Sequence, residues 1–326
     1  MVSSEISKRF VTTSFGRIAC LEAGDAERPP VLFIHGIPTS SYLWRHVMKF
    51  LQNDFYCIAP DLMGLGDTEV DPDAGCFDME AQAEMLLELM DQLGRRELAV
   101  VCHDQGGAAA QLIAARQPQR VSQLVLTDCV CYDNWPVPAI AALQRLARLP
   151  LLADALGRLG LFALAERYSP LSSFRRGMYD PSRFPDTSIT EYLRPLVASA
   201  AARKRFFQFL LAGSNRHTLA ALDGLRRFDR PTLILWAADD AYLSPSWGVR
   251  LYEDIPGAQQ FTLIPFCGHF WQEERPAEFA SKIGEFLAAT ASPGRAGVEL
   301  RAEVHRSAAA CSPATAPAAA SGVASA

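Results

Sequence analysis

The stretch Leu98-Ala99-Val100-Val101-Cys102-His103-Asp104-Gln105-Gly106-Gly107 constrains the fold more than any other part of the chain. An apolar run of strand length ends in polar residues and two glycines, and an alanine-rich helical pattern follows over 108–116. This reads as a strand, a sharp turn and a helix. A residue at such a turn stands on the carboxyl edge of a sheet, and adjacent glycines let two backbones pass closely. The residue at the tip is Asp104. A nucleophile presented there would be a carboxylate, which needs no base to activate it because its ordinary pKa is about 4.

The flanking chain supports an α/β architecture. Residues 9–23 alternate around Phe15-Gly16 as an antiparallel hairpin, and 31–34, 55–59 and 124–127 read as buried strands. Ser40 or Ser41 is placed to cap a helix through Leu51, and Asp78 to cap one that runs to Leu93 and stops at Gly94. Strands alternating with helices imply a mostly parallel sheet covered on both faces, with ligands at the carboxyl ends of its strands. His35, Asp61, Asp104 and Asp128 fall at those ends.

The alternation stops between 132 and 228, where Ala-, Leu- and Arg-rich helical patterns follow Trp135-Pro136-Val137-Pro138. It resumes with strands at 232–236 and 260–264 and a helix near 277–289. The expected organisation is a core over 1–131 and 229–292, a helical cap over 132–228, and a disordered Ala/Ser/Pro-rich tail over 293–326.

Composition narrows the partners. There are 31 Lys and Arg against 36 Asp and Glu, a net charge of -5, which points away from nucleic acid and from anionic membrane surfaces. The start, Met1-Val2-Ser3-Ser4-Glu5, shows no signal peptide, and no apolar run has transmembrane length. Eight scattered Cys without CxxC spacing and only 6 His argue for free thiols in a reducing cytoplasm, with no metal site.

Two further groups complete a constellation with Asp104. The pair Asp239-Asp240 follows the strand 232–236, and His269 stands in Phe266-Cys267-Gly268-His269-Phe270 after the last strand. Nucleophile, acid, then His is the chain order of α/β-hydrolases. Over residues 10–290 the chain resembles that superfamily, and within it the haloalkane dehalogenase and epoxide hydrolase group. The resemblance is carried by His35-Gly36-Ile37-Pro38-Thr39-Ser40-Ser41-Tyr42-Leu43-Trp44, by His103-Asp104-Gln105-Gly106-Gly107 and by Gly268-His269-Phe270-Trp271-Gln272-Glu273.

This resemblance implies an α/β-hydrolase fold and cofactor-free hydrolysis of a small apolar organic substrate through an alkyl ester on Asp104. His269 would be the general base, and the backbone N–H groups of Ile37 and Gln105 the oxyanion donors. Similar proteins carry Trp-Gly-x-x-Asp after this strand; here Trp236-Ala237-Ala238-Asp239-Asp240 puts Asp240 in the acid position, with Asp239 as the fallback. His35 and His103 read as structural, and Asp61 and Asp67 as organisers of their loop.

The leaving-group donors depart from the family pattern. Haloalkane dehalogenases usually carry Trp directly after the nucleophile and often Asn in the HGxP segment; these positions are Gln105 and Ile37. Fluoroacetate dehalogenases carry Arg where Gln105 stands. A halide would need Trp135 from the cap. An opening epoxide would need cap tyrosines, for which Tyr168 and Tyr192 are the candidates among Tyr132, Tyr168, Tyr179 and Tyr192. On these grounds epoxide hydrolysis is narrowly favoured over haloalkane or haloacid dehalogenation. A lyase or binding protein on the same fold is the remaining alternative.

Overall fold

The computed structural model describes residues 6–73 and 75–290. The tail 293–326, expected to be disordered, lies outside the described residues, as does the start Met1–Glu5. Eight strands form one sheet: β1 (Ser7–Thr13), β2 (Gly16–Ala23), β3 (Pro30–Ile34), β4 (Tyr56–Pro60), β5 (Leu98–Asp104), β6 (Val121–Cys129), β7 (Thr232–Ala237) and β8 (Ala258–Ile264). Their order is β1-β2-β4-β3-β5-β6-β7-β8. The first hairpin is antiparallel and joins antiparallel to β4; every pairing from β4 through β8 is parallel.

Helices α1 (Arg45–Leu51), α2 (Met79–Gln92) and α3 (Gly106–Arg116) alternate with the early strands. Between β6 and β7 lie α4 (Pro138–Ala147), α5 (Pro150–Arg158), α6 (Leu161–Tyr168), α7 (Ser173–Arg176), α8 (Asp186–Ala198), α9 (Ala200–Ala212) and α10 (Arg216–Leu225). The late helices are α11 (Ser246–Asp254), α12 (Trp271–Glu274) and α13 (Pro276–Thr290).

Local chemistry explains the boundaries. The Asp78 carboxylate accepts from the Ala81 N–H and starts α2. Ser40 accepts from the Tyr42 N–H, but the helix expected there is split: a 3-10 turn over Ser41–Trp44 precedes α1. β6 extends beyond the expected 124–127 at both ends. β5 is buried along its whole length, as a central strand covered on both faces must be. The turn after it is tight because α3 runs hard against β3. A Cβ on Gly106 would stand 2.5 Å from the carbonyl oxygens of Ile34 and His35, so only glycine fits.

Candidate active site

Asp104 ends β5 with φ of 49°, in the left-handed region that non-glycine residues rarely adopt. Its own carbonyl accepts from the Val130 N–H at 2.9 Å, which ties the strained turn to the end of β6. The side chain is thereby turned toward the loop after β3. There the Ile37 N–H donates to Asp104 Oδ1 at 2.8 Å. Gly36 makes this approach possible, since a Cβ at that position would lie 2.1 Å from Oδ1.

His269 follows β8 on the loop into α12. Its Nε2 lies 3.8 Å from Asp104 Oδ2, and its Nδ1 donates to Asp240 Oδ2 at 2.8 Å. Asp240 Oδ1 accepts the Tyr242 and Leu243 N–H groups, so the carboxylate is fixed by its own loop. Asp239 is exposed, and its backbone bonds to Cys267. The structure thus brings Asp104, His269 and Asp240 together and leaves Asp239 aside.

The electrostatics follow from burial and charge. Burial alone would lower the His269 pKa, but Asp240, with Asp104 and Asp128 behind it, overrides this and raises it to about 9. Burial raises Asp104 above its ordinary value; His269 and the backbone N–H groups of Gln105 and Ile37 oppose the rise. Oδ1 thus faces backbone donors, while Oδ2 is the oxygen nearest His269.

Most of the supporting polar groups are paired, His103 Nδ1 being an exception. His35 donates from Nδ1 to the Gly36 carbonyl and accepts the Leu62 N–H at Nε2, using both ring nitrogens in the neutral form. His103 donates from Nε2 to the His269 carbonyl oxygen at 2.9 Å, and burial holds its pKa well below the usual value. Asp61 accepts the Ser41 and Asp67 N–H groups, each at 2.7 Å. Asp128 accepts the Ala237 N–H and the Trp271 indole N–H, both at 2.8 Å, and so braces β7 and the His269 loop.

A cavity of about 270 Å³ opens over Asp104 and His269, walled mainly by apolar side chains from α4, α6 and α8. Trp135 lines it, and its buried indole N–H has no acceptor among the described residues. The Gln105 amide nitrogen and the Trp135 Nε1 lie 2.8 and 3.0 Å from the point a Gly213 Cβ would occupy.

Neither of the two candidate cap tyrosines lines the cavity. Tyr168 is 67% exposed, on the outer face of α6. Tyr192 is buried, but its hydroxyl donates to Glu273 Oε1 at 2.6 Å within a network that includes Arg45 and Ser188. Tyr132 donates to Asp254, and Tyr179 is exposed. The tyrosine in the cavity wall is Tyr242, edge-on to His269 with ring centroids 5.3 Å apart. Sequence reasoning missed it by looking for tyrosines only in the helical segment, although a residue two after Asp240 must lie beside His269. It also missed Glu166, which lines the cavity and accepts the Ser172 hydroxyl and the Ser173 N–H at Oε2. The signal was a charge directly after the apolar stretch 161–165.

Comparison with known proteins gives the family. The model of a family described as alpha/beta hydrolase fold matches residues 29–276. The chain belongs to that family. It is 29% identical to Haloalkane dehalogenase 2 of Mycobacterium tuberculosis, covering 85% of this chain and 93% of that one. It is 28% identical to the Soluble epoxide hydrolase of a Corynebacterium species, covering 84% and 95%. Epoxide hydrolase CorEH, solved without ligand, superposes with a TM-score of 0.73 at 25% identity, over 87% of this chain and 99% of that one. The expected α/β-hydrolase enzyme therefore stands, similar over most of its length to haloalkane dehalogenases and epoxide hydrolases.

Proposed function

We propose that the chain hydrolyses a neutral, apolar organic substrate at a saturated electrophilic carbon, with Asp104 as nucleophile and carbon–halogen cleavage as the first step. The segment 132–228 acts as a cap that closes the cavity and excludes water from it. Asp104 Oδ2 bonds to the carbon, and the halide leaves with the electron pair of the broken bond. Water then attacks the Asp104 carbonyl carbon of the resulting ester while His269 Nε2 takes its proton. The Ile37 and Gln105 N–H groups hold the oxyanion of that step; its collapse breaks the ester C–O bond, and the leaving oxygen takes the proton from His269 and departs as the alcohol. Asp240 orients the imidazole and stabilises its cation. Ester formation removes the negative charge of Asp104, one of the groups that raise the His269 pKa, so the base becomes more available when it is needed.

The observation that carries the choice of leaving group is Trp135, which lines the cavity and whose indole N–H has no acceptor among the described residues. An indole N–H donates a hydrogen bond but not a proton, which suits a halide. Glu166 in the same wall disfavours carboxylate substrates, and thus haloacids. Tyr242 favours a second reading, epoxide opening, because it is a phenol in the cavity wall beside His269; its hydroxyl donates to the Ser173 carbonyl and would have to turn from it to reach an opening oxygen. The narrow preference for epoxides rests on two grounds: the usual halide donors are replaced by Gln105 and Ile37, which still counts against a halide, and Tyr168 and Tyr192 are the candidate acids, of which neither lines the cavity.

Single turnover in oxygen-18 water tests the mechanism. With haloalkanes the first alcohol formed should carry ordinary oxygen from Asp104, with the label appearing in the Asp104 carboxylate. Label in that first alcohol would mean direct attack by water and would sink the covalent route. A panel of epoxides run in parallel decides the electrophile.

A further inference from the structure

Net charge conceals an uneven distribution. Residues 132–228 hold 14 Lys and Arg against 7 Asp and Glu; the rest of the chain holds 17 against 29. The helical segment is therefore a cationic body on an anionic core.

Its outer face is also apolar. Leu151 and Leu152 on α5, Leu161 and Leu164 on α6, and Leu149 and Leu159 at the two ends of α5 are exposed, Leu151 by 88%. On α6, Leu161, Leu164 and Tyr168 recur at i, i+3 and i+7 and are exposed, Leu164 and Tyr168 walling an open apolar groove against α8. A soluble monomer rarely shows so many large apolar side chains together.

Arginines frame this face. Arg148 and Arg158 flank α5 directly, and Arg145 and Arg176 lie on the neighbouring α4 and α7; all four are exposed. Arg167 and Arg175 pair with Asp186, and Arg203 with Asp154, but those four form no ion pair among the described residues. Exposed leucines with a tyrosine, bordered by free arginines, are the pattern of a surface that rests in the headgroup region of an anionic bilayer.

The cavity opens on the same side. Leu171, 73% exposed, and the exposed Ala139 and Ala165 line both the surface and the cavity over Asp104.

We propose that the leucine and arginine face of α5 and α6 docks on an anionic lipid surface, so that an apolar substrate dissolved in the lipid enters through the mouth at Ala139, Ala165 and Leu171. The entry route rests on the reading of Asp104 as nucleophile; the docking does not.

The test is co-sedimentation of the full chain with vesicles of phosphatidylcholine alone, and of equal parts phosphatidylcholine and phosphatidylglycerol. Two variants accompany it, Leu151→Ser/Leu164→Ser and Arg148→Glu/Arg158→Glu, with unchanged thermal midpoints as the folding control. The chain should bind the anionic vesicles only, high salt should release it, and each variant should lose on the order of tenfold in partitioning. Three results would overturn the proposal: no sedimentation with either vesicle, binding indifferent to lipid charge and to both variants, or a dimer in light scattering that the leucine variant dissolves. If the unmutated chain fails to bind vesicles while it turns over a water-soluble substrate, the docking surface alone is defeated. Lost turnover in solution for Asp104→Asn is expected; retained turnover would defeat the nucleophile reading and leave docking standing.

Discussion

Asp240 Oδ2 accepts from His269 Nδ1 at 2.8 Å, and the Asp240 side chain is fully shielded from solvent. The contact does two things. It fixes the imidazole with Nε2 toward Asp104, and it keeps the ring charged in spite of burial. Asp240→Asn removes the second effect and disturbs the first. Ester hydrolysis should slow by roughly 10²–10⁴-fold, by analogy with triad acids elsewhere, while Asp239→Asn stays close to the parent rate. Single-turnover decay of the ester in each variant checks this.

The His269 pKa has a consequence for stability. The folded value of about 9 lies above the ordinary 6.5, so the charged ring favours the folded state. That contribution is fully present below pH 6.5 and disappears as pH rises through 9. It is worth about 3 kcal/mol at most. Urea midpoints of the parent and of Asp240→Asn, measured from pH 6 to pH 10, should converge at the alkaline end. A constant gap across that range would contradict the Asp240 contact.

Trp135→Phe keeps the ring in the cavity wall and removes the unpartnered N–H. If that group holds a departing halide, ester formation should slow by about 10- to 100-fold, the loss expected for a hydrogen bond to an ion. Gly213→Ala should act in the same direction, because its methyl would press on the Trp135 and Gln105 nitrogens. Tyr242→Phe should leave halide release nearly unchanged. Stopped-flow halide release reads all three; a large loss in Tyr242→Phe alone would favour the epoxide reading.

Asp128 is a bracing group, and its removal should show in stability before activity. Asp128→Ala leaves the Ala237 N–H and the Trp271 indole N–H buried and unpaired. Roughly 3 kcal/mol should be lost, visible as a lower urea midpoint. A midpoint equal to the parent's would mean that those donors find other partners.

The core of this molecule was legible because its signals are local. The apolar run before Asp104 is continuous since β5 is buried on both faces, and the two glycines are required where α3 touches β3 and β6. The spacing from Trp236 separated Asp240 from Asp239. The helical segment was less legible for a physical reason. Periodicity assumes that an apolar stripe faces inward, but α6 turns Leu161, Leu164 and Tyr168 to solvent. A tyrosine placed on that stripe was therefore read as facing the cavity. Tyr192 does face inward, yet its hydroxyl is held by Glu273, a partner 81 residues away that no spacing rule reveals. The even charge balance likewise hid the separation between the cationic helical segment and the anionic core.

The proposed ester on Asp104 is the most direct thing to look for. His269→Gln removes the base while leaving the nucleophile and its Ile37 donor in place, so the first step should complete and the second should stall. Intact mass after mixing this variant with haloalkanes should show the chain heavier by the alkyl group without its halogen, with the addition mapped to Asp104. An increase equal to a whole epoxide, from the parallel panel, would keep the nucleophile and change the electrophile. An unchanged mass with every panel member that the unmutated protein turns over would contradict Asp104 as a covalent nucleophile.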